Sequence, residues 1–134
     1  MTDERLRTAA QILGDAAEEL VARRLEAEGW HVLGRNVRVG RLELDLVGVD
    51  PGPPPALVVV EVRWRARRDF GLPEETVDFR KRARLRAASF TLLDRGTING
   101  VRLPKLPLRI DLVVVEPAPG VGQEPRVRHH RGIG

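Results

Sequence analysis

Cysteine is absent from this 134-residue chain, which excludes disulfides and thiolate-ligated zinc or iron–sulfur centres. Aromatic residues supply only 4% of it, which disfavours a single-strand binder built on base stacking relative to a reader of duplex backbone. No stretch approaches the roughly 20 apolar residues that cross a bilayer. The opening MTDERLRTAA also lacks the basic-then-apolar layout of a secretory leader. The expected compartment is the cytoplasm, with no membrane partner. Internal repeats and phosphate-binding glycine loops are missing too. Lysine is nearly so, with Lys81 and Lys105 the only two. What is abundant is arginine, which carries the net charge of +4 and a sequence pI near 10.8. Such a balance favours polyanion partners, of which nucleic acid is the commonest. An arginine-rich genome composition alone would give the same bias, so the inference rests on clustering. Arg63, Arg65, Arg67 and Arg68 fall together, and Arg80, Lys81, Arg82, Arg84 and Arg86 crowd a later segment.

Two adjacent segments, Leu42–Val49 and Leu57–Arg65, alternate apolar and polar residues with the period of half-buried strands. On the first, Leu42, Leu44 and Leu46 are expected on one face, with Glu43 and Asp45 on the other. On the second, Val58, Val60, Val62 and Trp64 share a face, and Glu61, Arg63 and Arg65 the opposite one. The linker Asp50–Pro55 (DPGPPP) cannot continue a strand, so the two should turn back antiparallel. Any register that buries both apolar rows puts Asp45 and Glu61 on one face. Side by side they repel unless a cation intervenes, and an oxygen pair suits a hard divalent ion such as Mg²⁺. The plainer alternative is a solvated face on which Glu43 opposes Arg63 in an ion pair worth little.

The rest of the chain frames this pair. A helix is expected from Leu6 to Glu28, its stripe formed by Leu6, Ala10, Leu13, Ala17, Leu20 and Val21, with Gly29 as a stop. Glu18 lies at the border of that stripe, and Glu19 points to solvent. Trp30–Val37 reads as a first strand, with Val39-Gly40-Arg41 as the turn after it. Phe70-Gly71-Leu72-Pro73 leads to a second helix, Glu74 to Asp94, with Val77, Lys81, Leu85, Ala88 and Leu92 on one stripe. Lys81 in that stripe either snorkels or reaches the acidic sheet face. Arg80 and Arg84 flank it on one side and Arg82 and Arg86 on the other, so part of this helix is expected exposed and basic, with Arg80, Arg84 and Arg65 as candidates for nucleic-acid contact. Phe79, Ala83 and Phe90 form an apolar patch that would suit a partner or a second copy in a homodimer. Arg95–Leu106 reads as a loop and Leu108–Val115 as a last strand, with Arg109 and Asp111 opposite its apolar row. Beyond Glu116 the composition predicts a mobile basic tail (residues 117–134), in which His129 and His130 make a poor metal site. The order is α-β-β-β-α-β: an α/β domain (residues 1–116), a mixed sheet flanked by helices.

The spacing of Gly14, Ala17-Glu18, Asn36, Glu43-Leu44-Asp45-Leu46, Val60-Glu61-Val62-Arg63-Trp64-Arg65, Phe70-Gly71, Lys81, Leu85, Ala88 and Arg109-Ile110-Asp111-Leu112-Val113 resembles the YraN-type bacterial family. That family is similar in pattern to Holliday-junction resolvases and the wider PD-(D/E)XK nucleases. The resemblance spans about Gly14 to Val115 and implies a restriction-endonuclease-like fold, a metal-dependent endonuclease using Mg²⁺ or Mn²⁺, and a DNA partner of branched or structured form. By that resemblance Asp45 and Glu61 hold the metal, and Glu18 matches the helix glutamate of resolvase-like members. Two positions depart from the family pattern. Leu42 stands where it has glycine, and Arg63 where it has the lysine of Glu-x-Lys. Arginine keeps its proton, so Arg63 cannot be a base, although it can clamp a phosphate; Lys81 is the candidate for the displaced lysine. A DNA-binding protein that keeps the fold without cleaving, or a protein-interaction module, are the competing expectations.

Overall fold

The computed structural model describes residues 8–65 and 78–134. Leu6, Arg67, Arg68, the expected loop from Phe70 to Pro73 and the first residues of the expected second helix, Glu74 to Val77, lie outside the described residues. Helix α1 spans Ala9–Ala27. Thr8 starts it through a reciprocal capping box: its hydroxyl accepts from the Gln11 N–H (3.1 Å), and the Gln11 side chain accepts from the Thr8 N–H (2.8 Å). Strands β1 (His31–Val39) and β2 (Leu42–Asp50) form a hairpin turned at Gly40, whose φ of +60° suits a residue without a side chain. β3 (Ala56–Trp64) follows. Helix α2 spans Phe79–Arg95, and its start corrects the expectation of a helix from Glu74. The Asp78 backbone is extended, and its carboxylate caps the Lys81 N–H at 3.0 Å. Left-handed Gly96 ends it.

Strands β4 (Thr97–Ile98) and β5 (Val101–Arg102) make a two-rung hairpin inside the segment expected as loop. Strand β6 (Leu108–Glu116) then enters the main sheet, and β7 (Arg126–His130) closes it. The strand order is β1-β2-β3-β6-β7, antiparallel except for the β3–β6 pair. That parallel pair requires a crossover, and α2 lies within it, on the sheet face opposite α1. The result is the expected α/β architecture, a mixed sheet flanked by helices. The tail expectation is corrected: residues 126–130 pair with Leu112–Glu116 as the fifth strand. Periodicity could not reveal it, because RVRHH has one apolar residue and its order comes from β6.

Each sheet face has its own core. Ala17, Val21, Ala22 and Leu25 of α1 pack on Trp30, Leu46, Val58, Val60, Val113 and Val115, with Val62 and Trp64 against them. Leu85, Ala88 and Leu92 of α2 pack on Leu44, Val47, Leu57, Val59 and Ile110. The row of Val58, Val60, Val62 and Trp64 thus shares one face as the alternation predicts. Strand β2 departs from its pattern, because Leu44 packs on the α2 side and Leu46 on the α1 side. The alternation breaks at Asp45. No helix among the described residues is long and apolar enough to cross a membrane.

Candidate functional site

The break at Asp45 coincides with a fork in the sheet. The β2–β3 ladder runs from Asp50–Ala56 to Leu46–Val60 and stops there. The next rung would set Asp45 directly against Glu61. Instead the Asp45 side chain turns into the gap, where Oδ2 accepts the Val62 N–H at 2.8 Å. Strand β3 meanwhile continues along β6 through Trp64–Val115, and Arg65 N–H donates to the Val115 carbonyl at 2.9 Å. Two carboxylates therefore stand where one ladder has opened and the other has not.

Charge in this fork is poorly balanced. Burial pushes the Asp45 carboxyl up, and the neighbouring Glu61 charge adds to it; the Val62 N–H opposes them, and the result is a carboxyl held at about 7. Glu61 is 6% exposed. Its Oε1 lies 3.7 Å from both the Lys81 ammonium on α2 and Arg63 Nε two residues along β3. Of the two expectations for Lys81, the structure shows the amine turned to the acidic face. Arg63 Nε is buried without a hydrogen-bond partner among the described residues. The alternative pairing of Glu43 with Arg63 is not what forms: Glu43 lies 3.9 Å from Arg38.

Glu18 approaches the same fork from α1. Burial raises its carboxyl, Arg35 opposes this, and the Glu43 and Glu61 charges add to the rise. Between Glu18 and Glu43 sits Asn36. An amide oxygen cannot face two carboxylates, so its nitrogen does, at 2.7 Å from Glu18 Oε1 and 3.1 Å from Glu43 Oε1. Glu19 points to solvent as expected and also pairs with Arg23 at 2.7 Å and with Arg35, tying α1 to β1. Glu18, Asp45, Glu61, Arg63 and Lys81 are thus brought to one place from α1, β2, β3 and α2. Asn36 and Glu43 belong there as well; Asn36 stood in the motif, but nothing in its residue type announced a role.

The donor set can be weighed against a divalent cation. Asp45 and Glu61 are oxygen ligands of the right hardness, and repulsion between them is the feature a cation relieves. Among the described residues no three histidine, aspartate or glutamate side chains make a ready ligand group. The pair would need carbonyl, water or phosphate oxygens to complete a shell. Arg80 and Arg84 are exposed on α2, and Arg65 is half-buried at the end of β3.

A second polar cluster lies where the β2–β3 turn meets β6 and β7. Asp111, fully buried, accepts from Arg109 through both oxygens (2.9 Å each), from the Gly132 N–H (3.0 Å), and lies 2.8 Å from His129 Nε2. Arg109 also donates to Asp50 at 2.8 Å, and its guanidinium stands 5.8 Å over the Trp30 ring. Burial would raise the Asp111 carboxyl, but the bonds from His129, Arg109 and Gly132 outweigh it and hold it below the usual range. Asp50 is likewise lowered, the Gly52 N–H and Arg109 overcoming burial. A cleft of about 510 Å³ beside it is lined by Trp30, Pro51, Pro53, Pro54, Arg109 and Arg131 among others. Its cations already face carboxylates, and this cluster reads as a clasp for β7.

Comparison with known proteins places relatives of this chain in one family. The model of the family described as "Uncharacterised protein family UPF0102" matches residues 17–115, well over half of the chain. A UPF0102 protein of Arthrobacter sp. is 39% identical over 127 residues, covering 94% of this chain and 98% of that protein. One of Symbiobacterium thermophilum is 40% identical over 108 residues (80% and 84%). One of Sorangium cellulosum is 40% identical over 94 residues, 70% of this chain but only 62% of the longer relative.

Proposed function

The chain belongs to the uncharacterised protein family UPF0102, and from its forked carboxylate site we propose that it is a metal-dependent endonuclease acting on structured or branched DNA. The observation that carries this reading is the buried Asp45–Glu61 pair at the open end of the β2–β3 ladder, with two cationic side chains on Glu61. The kinship in motif order with PD-(D/E)XK nucleases supports it. So does the repulsion itself, because a protein that only bound a polyanion would gain nothing from two buried carboxylates near it.

Asp45 and Glu61 would hold Mg²⁺ or Mn²⁺. When bound, the ion supplies Lewis-acid polarisation of the phosphate and lowers the pKa of water. The remaining work falls to the chain's own side chains. The Val62 N–H fixes the direction of the Asp45 carboxylate. Arg63 stays protonated and donates through its fork to a phosphoryl oxygen, clamping charge that grows in the transition state. Lys81 sets a compact positive charge beside Glu61 and is the side chain here able to orient or deprotonate water, the role Arg63 cannot fill. Exposed Arg80 and Arg84, with Arg65 at the strand end, would contact the backbone of the duplex arms.

The test is incubation with junction, flap, duplex and single-stranded DNA, with and without Mn²⁺. Metal-dependent cleavage of at least one structured substrate is expected. Arg63→Ala should lose more cleavage than binding, and Arg63→Lys should keep or increase it; Lys81→Ala should be as damaging as Arg63→Ala. A second reading, a DNA-binding protein that has lapsed as a nuclease, rests on arginine at position 63. It prevails if the wild type binds without cleaving while Arg63→Lys cleaves.

A further inference from the structure

Asn36 carries two features that the fork alone does not explain. Its φ is +50°, in the left-handed region that a side chain with its own hydrogen-bonding capacity tolerates at some cost. It also faces position 45. The β1–β2 rungs run from Val39–Leu42 to Val37–Leu44, resume at Arg35–Leu46, and skip Asn36–Asp45. Both strands change faces at this level. Val37 and Leu44 pack on the α2 side; Leu46 packs on the α1 side, where Arg35 reaches Glu19 of α1. Without the left-handed residue β1 would keep its alternation, and the neighbouring strand would have no reason to release Asp45 from the ladder.

The side chain does a separate job. A carboxamide has two N–H donors, and this one directs them at two carboxylates from different elements, Glu18 of α1 and Glu43 of β2. A neutral group between two acids lets them approach without a cation. Glu18 is thereby held over the gap into which Asp45 projects. We propose that Asn36 is a positioning residue of the carboxylate site, its backbone opening the strand at Asp45 and its amide fixing Glu18 above the Asp45–Glu61 pair. This rests on the nuclease reading for its catalytic consequence, but the bridge itself can be tested without activity.

The two jobs are separable by substitution. Asn36→Gly keeps the left-handed backbone free of strain and removes the amide. Asn36→Asp keeps the size and the tolerance for positive φ but offers the two glutamates an acceptor. The first measurement is the Asn36 side-chain NH₂ signal in ¹⁵N–¹H correlation spectra of the metal-free protein. Glu18→Gln should move one of its two proton resonances and Glu43→Gln the other. If neither variant moves either resonance, the bridge does not exist and the proposal is overturned, whether or not the protein cleaves DNA. The second is kinetic. In Asn36→Gly, kcat on the cleaved substrate should fall roughly 10–100-fold, as for other residues that orient metal-site carboxylates, with KM nearly unchanged. Asn36→Asp should fall at least as far. Wild-type kcat in Asn36→Gly would overturn the positioning role. Absence of cleavage by the wild type would instead fail the nuclease reading, leaving the spectra to decide the bridge.

Discussion

Asp45 and Asp50 lie five positions apart on one strand; burial pushes both carboxyls up, and their partners send them in opposite directions. Asp50 sits among groups that want its charge: the Gly52 N–H, Arg109 and Arg131. Asp45 has one backbone N–H and, beside it, the charge of Glu61. The clasp around Asp50 and Asp111 holds its carboxyls below their ordinary range; the fork around Asp45 holds its carboxyl at about 7. The same low-dielectric interior therefore stabilises structure at one place and stores repulsion at the other. What separates them is the supply of donors.

The contrast is broken most sharply at Asp111. Replacing it by alanine leaves Arg109 with Asp50 as its one carboxylate partner and removes the acceptor for His129 and the Gly132 N–H. Stability should fall by about 3–5 kcal/mol, the usual cost of halving a buried pair, measured by urea unfolding. If the loss is no greater than for a surface aspartate, the clasp is no clasp. At the fork the opposite sign is expected. Asp45→Asn in metal-free protein should gain about 1–3 kcal/mol at pH 8 and nothing at pH 4, and should abolish the stabilisation that Mn²⁺ gives the wild type. Equal Mn²⁺ shifts in both proteins would count against the site.

The pH profile reads both regions at once. The Asp45 carboxyl is raised in the folded state, so between about pH 4 and 7 the native protein binds more protons than the unfolded chain, and this residue's contribution to stability falls as pH rises through that window. Asp50 and Asp111 are lowered, so their contribution is full above the unfolded carboxylate range and is lost as pH falls through their folded values. Asp45→Asn should remove the first slope and leave the second, as followed by thermal unfolding across pH.

Smaller effects separate binding from folding. Changing Arg80 and Arg84 together to alanine should lower the slope of log affinity against log salt by roughly 2, if each contacts one phosphate, and weaken all sequences alike. Arg131→Ala, at the clasp, loses a 3.6 Å pair from a side chain 55% exposed. It should change stability by no more than about 0.5 kcal/mol and leave DNA binding untouched.

Much of this is legible in the sequence alone. Strong alternation in Leu57–Arg65 gave β3 its faces, and the same alternation put Glu61 and Arg63 on the side opposite Val60 and Val62. Local patterning failed wherever order comes from distant partners. β7 lacks an apolar row and is held by β6 and by Asp111, 18 residues from His129 in sequence. The pattern Leu42-Leu44-Leu46 implied one face because alternation assumes an unbroken ladder. A left-handed residue on the neighbouring strand, invisible within β2, breaks it. The proximity of Asp45 and Glu61 survives that error, since the opened ladder moves Asp45 sideways and keeps it beside its neighbour.

The position of β7 has a further consequence, for the edge of the strand it covers. Strand β6 has a run of apolar residues, Leu112 to Val115, buried on both faces. With one edge bare it would present a long ladder of unsatisfied amides and carbonyls, the template on which sheets grow from molecule to molecule. Its cover is a strand of Arg126, Val127, Arg128, His129 and His130, tethered by the Arg128–Glu116 and His129–Asp111 pairs. The clasp that looks like internal fastening thus also gives β6 the partner that closes its outer ladder.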